Sequence, residues 1–222
     1  LYRVEDDAAT MLSRKTRCYQ RQAQIPYFDG SRSEYYLAKP FLSVIIPAFN
    51  EETRIGPTLE KLVGYLSRQT YSWEVLIIDD GSSDRTATLA GQWVMDHPGI
   101  RSETIPHSGK GWAVKYGMLA TSGKYRFMCD IDLAMPVEWL SEFLEEMEKG
   151  YDIIIGSRQV TGARRFGESF VRHSMGRLFN WTVRLLAVRA FQDTQCGFKC
   201  FRGEVADALF KSQRTKGFGF DV

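Results

Sequence analysis

From Phe41 onward the apolar residues fall into two alternating rhythms. Leu42 to Ile46 is a short β-branched run closed by Pro47, which predicts a strand; Leu59, Leu62, Val63 and Leu66 then recur at i, i+3, i+4 and i+7, one face of a helix. The same exchange repeats down the chain. Glu74 to Ile78 predicts a strand and Leu89, Ala90, Trp93 and Val94 a helix, followed by a weaker strand at Ser102 to Ile105 and a helix on Ala113, Val114, Gly117 and Met118. Tyr125 to Cys129 leads into the stripe of Leu140, Phe143, Leu144 and Met147, and Tyr151 to Ile155 is the fifth strand. Strands and helices that alternate with short joints predict an α/β fold built on a doubly wound, mostly parallel sheet. No internal repeat or low-complexity linker interrupts it, so residues 41–222 are read as a single domain. Residues 1–40 are polar and mixed in charge and are expected to form an arm with a short helix and a loop.

Composition narrows this picture only a little. The 222 residues carry a net charge of +2, as many globular proteins do, but the charge is uneven: between Arg164 and Arg189 six arginines (164, 165, 172, 177, 184 and 189) stand against the single acid Glu168. No apolar run is long enough to span a bilayer and no signal peptide is visible. The chain lacks an initiator Met and stops just after a glycine-aromatic segment, which suggests a fragment with membrane spans able to follow its end. Cys18, Cys129, Cys196 and Cys200 form no disulfide framework, and no His pair accompanies Cys196 and Cys200, so neither structural zinc nor an oxidising compartment is expected.

In a sheet of this kind ligands bind beyond the carboxyl ends of the strands. The polar residues collect at those ends: Asn50-Glu51-Glu52 after the first strand, Asp79-Asp80-Gly81-Ser82-Ser83-Asp84 after the second, Asp130-Ile131-Asp132 after the fourth and Gly156-Ser157-Arg158 after the fifth. Carboxylates at i and i+2 of an extended chain can reach one side, and two close anions are unfavourable unless a cation joins them. Mg²⁺ or Mn²⁺ would do so and keep positions open for a diphosphate. A solvated turn would carry the same residues; the shared rim of four polar clusters favours a site. No Gly-x-Gly-x-x-Gly follows the first strand and Gly109-Lys110-Gly111 lacks the rest of a P-loop, so neither usual phosphate cradle is present. Lys110 is then either a flexible helix entry or, with the helix N-terminus, a group facing a diphosphate.

Taken in order, Val44-Ile45-Ile46-Pro47-Ala48-Phe49-Asn50-Glu51-Glu52, Ile78-Asp79-Asp80-Gly81-Ser82, Asp130-Ile131-Asp132-Leu133 and Gly156-Ser157-Arg158 resemble family 2 glycosyltransferases of the A-type fold. Asp193-Thr194-Gln195-Cys196-Gly197-Phe198-Lys199, followed by Gly217-Phe218-Gly219-Phe220-Asp221-Val222, is similar to the polyprenyl/dolichyl-phosphate β-glucosyltransferase branch. The resemblance implies that Pro47, Phe49 and Glu51 contact the nucleoside and that Ile78 and Asp80 hold the base, Asp80 accepting from an N–H. It further implies that Asp130 faces the nucleotide with Ile131 beside it, that Asp132 ligates the metal, and that Arg158 meets phosphate. Related mannosyltransferases often carry Gln two places after the second Asp; Ala134 stands there, leaving coordination to Asp132, phosphates and water. Asp193 would lie near the reacting centre as a positioning group or weak base, with an N-cap or turn carboxylate as the alternative.

The implied reaction is an inverting transfer of a hexose, glucose first, from a UDP-sugar to a polyprenyl or dolichyl phosphate at the cytoplasmic face of a membrane, with the chain peripheral. A lipid monophosphate is largely dianionic at neutral pH, since its second pKa is near ~6, so it needs no strong general base. The acceptor phosphate is assigned to Arg172 and Arg177, on a helical stripe of Met175, Leu178, Phe179, Thr182, Leu185 and Leu186 with Trp181 nearby. Such a helix is either interfacial or a core helix with a solvated arginine face. A GDP-mannose-dependent enzyme, a transferase with a sugar hydroxyl acceptor, a nucleotidyltransferase (disfavoured by Phe49-Asn50-Glu51-Glu52 where a Gly-rich basic loop would stand) and an inactive nucleotide-binding module are the other readings. Nucleic-acid binding fits poorly, because the basic residues are not interleaved with stacking aromatics.

Overall fold

The computed structural model describes residues 2–3, 39–133, 135–156 and 196–221. Arg158, Asp193, Ala134 and the arginine-rich stretch with Arg172 and Arg177 lie outside the described residues, as does most of the N-terminal arm. Within them the chain runs β1 (Tyr2–Arg3), β2 (Leu42–Ala48), α1 (Ile55–Leu66), β3 (Trp73–Asp79), α2 (Thr86–Asp96), β4 (Ile100–Thr104), α3 (Lys110–Ala120), β5 (Tyr125–Met128), α4 (Trp139–Glu148), β6 (Ile153–Ile155), β7 (Lys199–Arg202) and α5 (Gly203–Ser212). A 3₁₀ turn, Phe218–Asp221, follows.

One sheet holds all the described strands in the order β1-β6-β7-β5-β2-β3-β4. The strands β2, β3, β4 and β5 pair in parallel, whereas β7 is antiparallel to both β5 and β6. β6 therefore points the same way as β5, and the mostly parallel, doubly wound expectation holds in strand direction. The sequence pattern predicts no strand at β7, which pairs between the fourth predicted strand, β5, and the fifth, β6. The four residues of β7, Lys-Cys-Phe-Arg, are too short and too charged at their ends to announce a strand.

The helices cover both faces, which is why β2 is buried along its whole length and reads as a continuous apolar run rather than an alternation. Val44, Ile46, Val75, Ile77 and Phe127 face α1, α2 and α4. Ile45, Met128, Phe201, Leu76 and Ile78 face the opposite way, toward Val114 and Met118 of α3 and Ala206 and Phe210 of α5. Among the described residues no helix is long and apolar enough to cross a membrane.

A buried charge ties this second layer together. Arg126, 5% exposed, donates to Met118 O (2.7 Å) at the end of α3 and to Asp207 Oδ1 (2.6 Å) on α5. That bond holds the Asp207 carboxyl below its ordinary range. A lowered folded pKa means that the pair stabilises the fold above the unfolded carboxylate pKa and stops doing so as pH falls through the folded one. Asp207→Ala is expected to cost about 1–3 kcal/mol at neutral pH and to remove this part of the acid sensitivity, as urea titrations from neutral to acid pH would measure.

Candidate functional site

The parallel strands end at one edge, and their loops are locked to each other by side chains of the loops themselves. Asn50, at φ 54°, receives Ser83 N on Oδ1 (2.9 Å), while its own N–H donates to Ser82 Oγ (2.9 Å). Glu51 N donates to Thr86 Oγ1 (2.7 Å) and Glu52 N to Asp84 Oδ2 (3.1 Å). The loop after β2 is thereby clamped to the loop after β3. The Glu51 carboxylate pairs with Arg54 at 3.1 Å and lies at the entry to α1.

The next cluster explains its own spacing. Ile131 is 6% exposed within the core, and its carbonyl accepts the Thr58 hydroxyl from α1. Leu133 N closes the turn on Asp130 O (3.1 Å), with Leu133 at φ 44°. Burying the central residue pins the turn, so the two flanking carboxylates stay at the rim: Asp132 is exposed, and Asp130 is 22% exposed and 2.7 Å from Lys110 Nζ through Oδ1. Burial, and then the Asp130 and Asp132 charges, push the neighbouring Cys129 thiol well up, which makes it an inert core group.

Asp130 is wedged from behind by Gly197. A Cβ at that position would lie 2.1 Å from Asp130 Oδ2 and 2.3 Å from its Cγ. Gly197→Ala is expected to cost about 1–3 kcal/mol as an overpacked substitution and to push Asp130 away from Lys110. Urea denaturation would read the first effect and a crystal structure of the variant the second.

The strand ends after β2, β3 and β5 meet, as the shared rim requires; the first Asp-rich turn and the later Asp-Ile-Asp tract stand at the same end of the sheet. Several individual expectations look different. Ile78 is fully buried against Ala113 of α3, and Ile131 and Pro47 are buried as well, so each offers a ligand only its backbone. Asp80 does not present its carboxylate to the rim: its side chain is 4% exposed. Ser108 N (2.8 Å) and Gly109 N (2.9 Å) donate to its two oxygens. Phe49, 43% exposed, does stand at the rim, stacked on His107.

The helix N-terminus at Lys110 is partly covered. Gly109 N is spent on Asp80, Trp112 N is shared between Gly109 O and Lys216 O (3.1 Å), and Lys216 O and Gly217 O lie where a Gly111 side chain would be. The Lys110 ammonium lies beside Asp130 at this end of α3. Thr58, Thr86, His107 and Gly197 were missed from sequence. His107 alone carried a usable signal, since it follows the predicted strand Ser102 to Ile105 at the same rim.

Residues 43–208 match the family described as Glycosyl transferase family 2. The chain is 34% identical over 197 residues to a dolichyl-phosphate beta-glucosyltransferase of Trichomonas vaginalis, covering 82% of this chain and 57% of that protein. It is likewise 34% identical over 196 residues to a dolichyl-phosphate beta-glucosyltransferase of Dictyostelium discoideum, covering 82% and 60%. The chain thus spans less than two thirds of these relatives. Among solved structures, it is similar to glucosyl-3-phosphoglycerate synthase of Mycobacterium tuberculosis in complex with Mn²⁺, UDP-glucose and phosphoglyceric acid, with a TM-score of 0.57 and 20% identity over 88% of this chain and 68% of that one. At that identity the likeness is one of fold, the glycosyltransferase A-type.

Proposed function

This chain belongs to glycosyl transferase family 2, and from that premise we propose that it transfers glucose from UDP-glucose to a dolichyl or polyprenyl phosphate, with inversion and with a divalent cation, at the cytoplasmic face of a membrane. The observation that carries the reading is the meeting of Asp130, Asp132 and Lys110, from two separate elements, on one rim of the sheet. The names of the two relatives support the acceptor and the sugar.

The residues fit Mg²⁺ or Mn²⁺ bound through few protein ligands. Asp132 is an exposed oxygen donor, and among the described residues no group of three or more His, Cys, Asp or Glu could form an all-protein cage. Such ions keep several waters and take substrate phosphate oxygens. Asp132 would hold the ion, and when bound it supplies positive charge to the diphosphate leaving group. Lys110 supplies the other charge: its ammonium, 23% exposed beside Asp130, can exchange a carboxylate oxygen for a phosphate oxygen. Asp130 keeps that ammonium in position before the donor arrives. Arg158 is proposed to meet donor phosphate, Arg172 and Arg177 the acceptor phosphate, and Asp193 to position the acceptor. The acceptor dianion attacks the sugar carbon opposite the departing diphosphate and needs no base to remove a proton.

The test supplies labelled UDP-glucose or GDP-mannose with Mg²⁺ or Mn²⁺ and either a short polyprenyl phosphate in detergent or a sugar hydroxyl acceptor. A phosphate-linked glucolipid that disappears with EDTA is expected. Turnover with GDP-mannose alone redirects the reading to mannosyl transfer, and turnover with hydroxyl acceptors alone to glycoside synthesis. Loss of Arg172 and Arg177 charge without change in acceptor KM would remove that assignment.

A further inference from the structure

Resting on the reading above, in which Lys110 meets the donor's diphosphate, the geometry points to Gln213 as the residue that positions Lys110, acting from the segment that follows α5. Lys110 opens α3 between two glycines, Gly109 at φ +100° and Gly111. Glycine restrains a backbone least, and the first N–H groups of a helix have no partners within it. By itself this turn would hold the ammonium loosely.

The restraint comes from residues 213–220, which lie across the turn. Lys216 O accepts from Trp112 N (3.1 Å), and Lys216 Nζ stands 5.3 Å from the centre of the Trp112 ring. A Cβ on Gly109 would lie 2.8 Å from Lys216 O, and one on Gly111 would lie 2.8 Å from both Gly217 O and Phe220 Cβ. The contacts that require glycine on each side of Lys110 are therefore the ones that limit its movement.

Gln213 ties that segment down. Its Nε2 donates to Gly111 O (2.8 Å) on α3 and to Thr215 O (2.8 Å) in its own loop. Turned over, the amide would set its oxygen against both carbonyls, so its orientation is fixed. The Gln213 backbone is held as well: its N–H donates to Leu209 O (3.1 Å) in the last turn of α5, and its carbonyl accepts from Lys115 Nζ (2.7 Å) further along α3. One side chain thus joins the turn that carries Lys110 to the loop that covers it. Asp130 holds the ammonium at 2.7 Å, and Gln213 holds the backbone from which that ammonium extends. Gln213 is a positioning residue, acting on the diphosphate through Lys110.

Calorimetric titration of the 222-residue chain with UDP and with GDP, in the presence of Mg²⁺, tests this through a double-mutant cycle on whichever nucleotide binds more tightly. Lys110→Ala is expected to weaken that nucleotide about tenfold or more, the loss of a hydrogen bond to a charged group. Gln213→Ala is expected to weaken it about three- to tenfold in the wild-type background. Once Lys110 is already alanine, the same substitution is expected to cost less than about twofold, because the group it positions is gone. Gln213→Met keeps the length of the side chain and removes its donors; it is expected to match Gln213→Ala. Thermal melts followed by circular dichroism set a titration temperature at which each variant is folded. An equal loss from Gln213→Ala in both backgrounds, or wild-type affinity in either Gln213 variant, overturns this inference alone. Wild-type affinity in Lys110→Ala overturns the diphosphate role of Lys110 and the inference with it. A wild-type chain that binds neither nucleotide overturns the nucleotide-sugar reading itself, before any substitution is made.

Discussion

Asp132→Asn is expected to lower glucosyl transfer by about a hundred- to a thousandfold, the range in which removing one group that stabilises developing charge falls. The substitution keeps the shape of the side chain and removes its charge. Asp132 is exposed and belongs to a turn held by other atoms, the Thr58–Ile131 bond and the Leu133–Asp130 bond. Stability should therefore move by no more than about 0.5 kcal/mol, as for exposed positions generally. The loss should appear in kcat as well as in donor affinity, since charge on the departing diphosphate is greatest in the transition state. Glycolipid formation under saturating UDP-glucose, with urea denaturation in parallel, checks both halves. Activity within threefold of wild type would remove Asp132 from the metal site. Asp130→Asn makes a useful contrast: it leaves Lys110 beside a neutral amide, so that both the diphosphate interaction and the local ion pair change together.

Phe127→Ala is expected to cost about 3–5 kcal/mol, the usual penalty for deleting a buried aromatic ring. Against a total of about 5–15 kcal/mol for a domain, that is a large share. Phe127 is 1% exposed at the centre of β5 and makes edge-to-face contacts with Phe143 of α4 (5.4 Å, 88°) and with Phe198 (5.2 Å, 74°). It thus joins α4 to the segment leading into β7, and its backbone pairs with Cys200. The cavity would open three residues before Asp130 and against Phe198, the chain neighbour of the Gly197 that backs that carboxylate. Transfer should consequently fall at temperatures where the variant is still mostly folded, because the wedge that positions Asp130 loosens first. Urea denaturation gives the stability and an activity–temperature profile the second effect. A loss under about 1 kcal/mol would mean that the aromatic cluster collapses to fill the gap.

Much of the architecture was legible because it is encoded between near neighbours. The apolar run Leu42 to Ile46 and the stripe Leu59, Leu62, Val63, Leu66 each state their element within a few residues, and β2 and α1 contain them. Direction followed too: strands separated by helices must run parallel, so their polar ends share a rim. Thus Asp80, Asp130 and Asp132 could be brought to one end of the sheet from order alone.

What the sequence by itself determined, then, was the set of elements, their winding and the side of the sheet on which chemistry collects. Only the tertiary structure decided the partners. β7 enters antiparallel between β5 and β6, Asp80 turns inward to hold the 107–109 loop, and the Lys216 and Gly217 carbonyls cover the start of α3. Thr58 anchors Ile131 from 73 residues away, and Gly197 makes room for Asp130. The physical reason is the same in each case. Periodicity is a property of adjacent residues, whereas a buried hydrogen bond or a close approach depends on which distant surfaces pack together, and no local pattern records that choice.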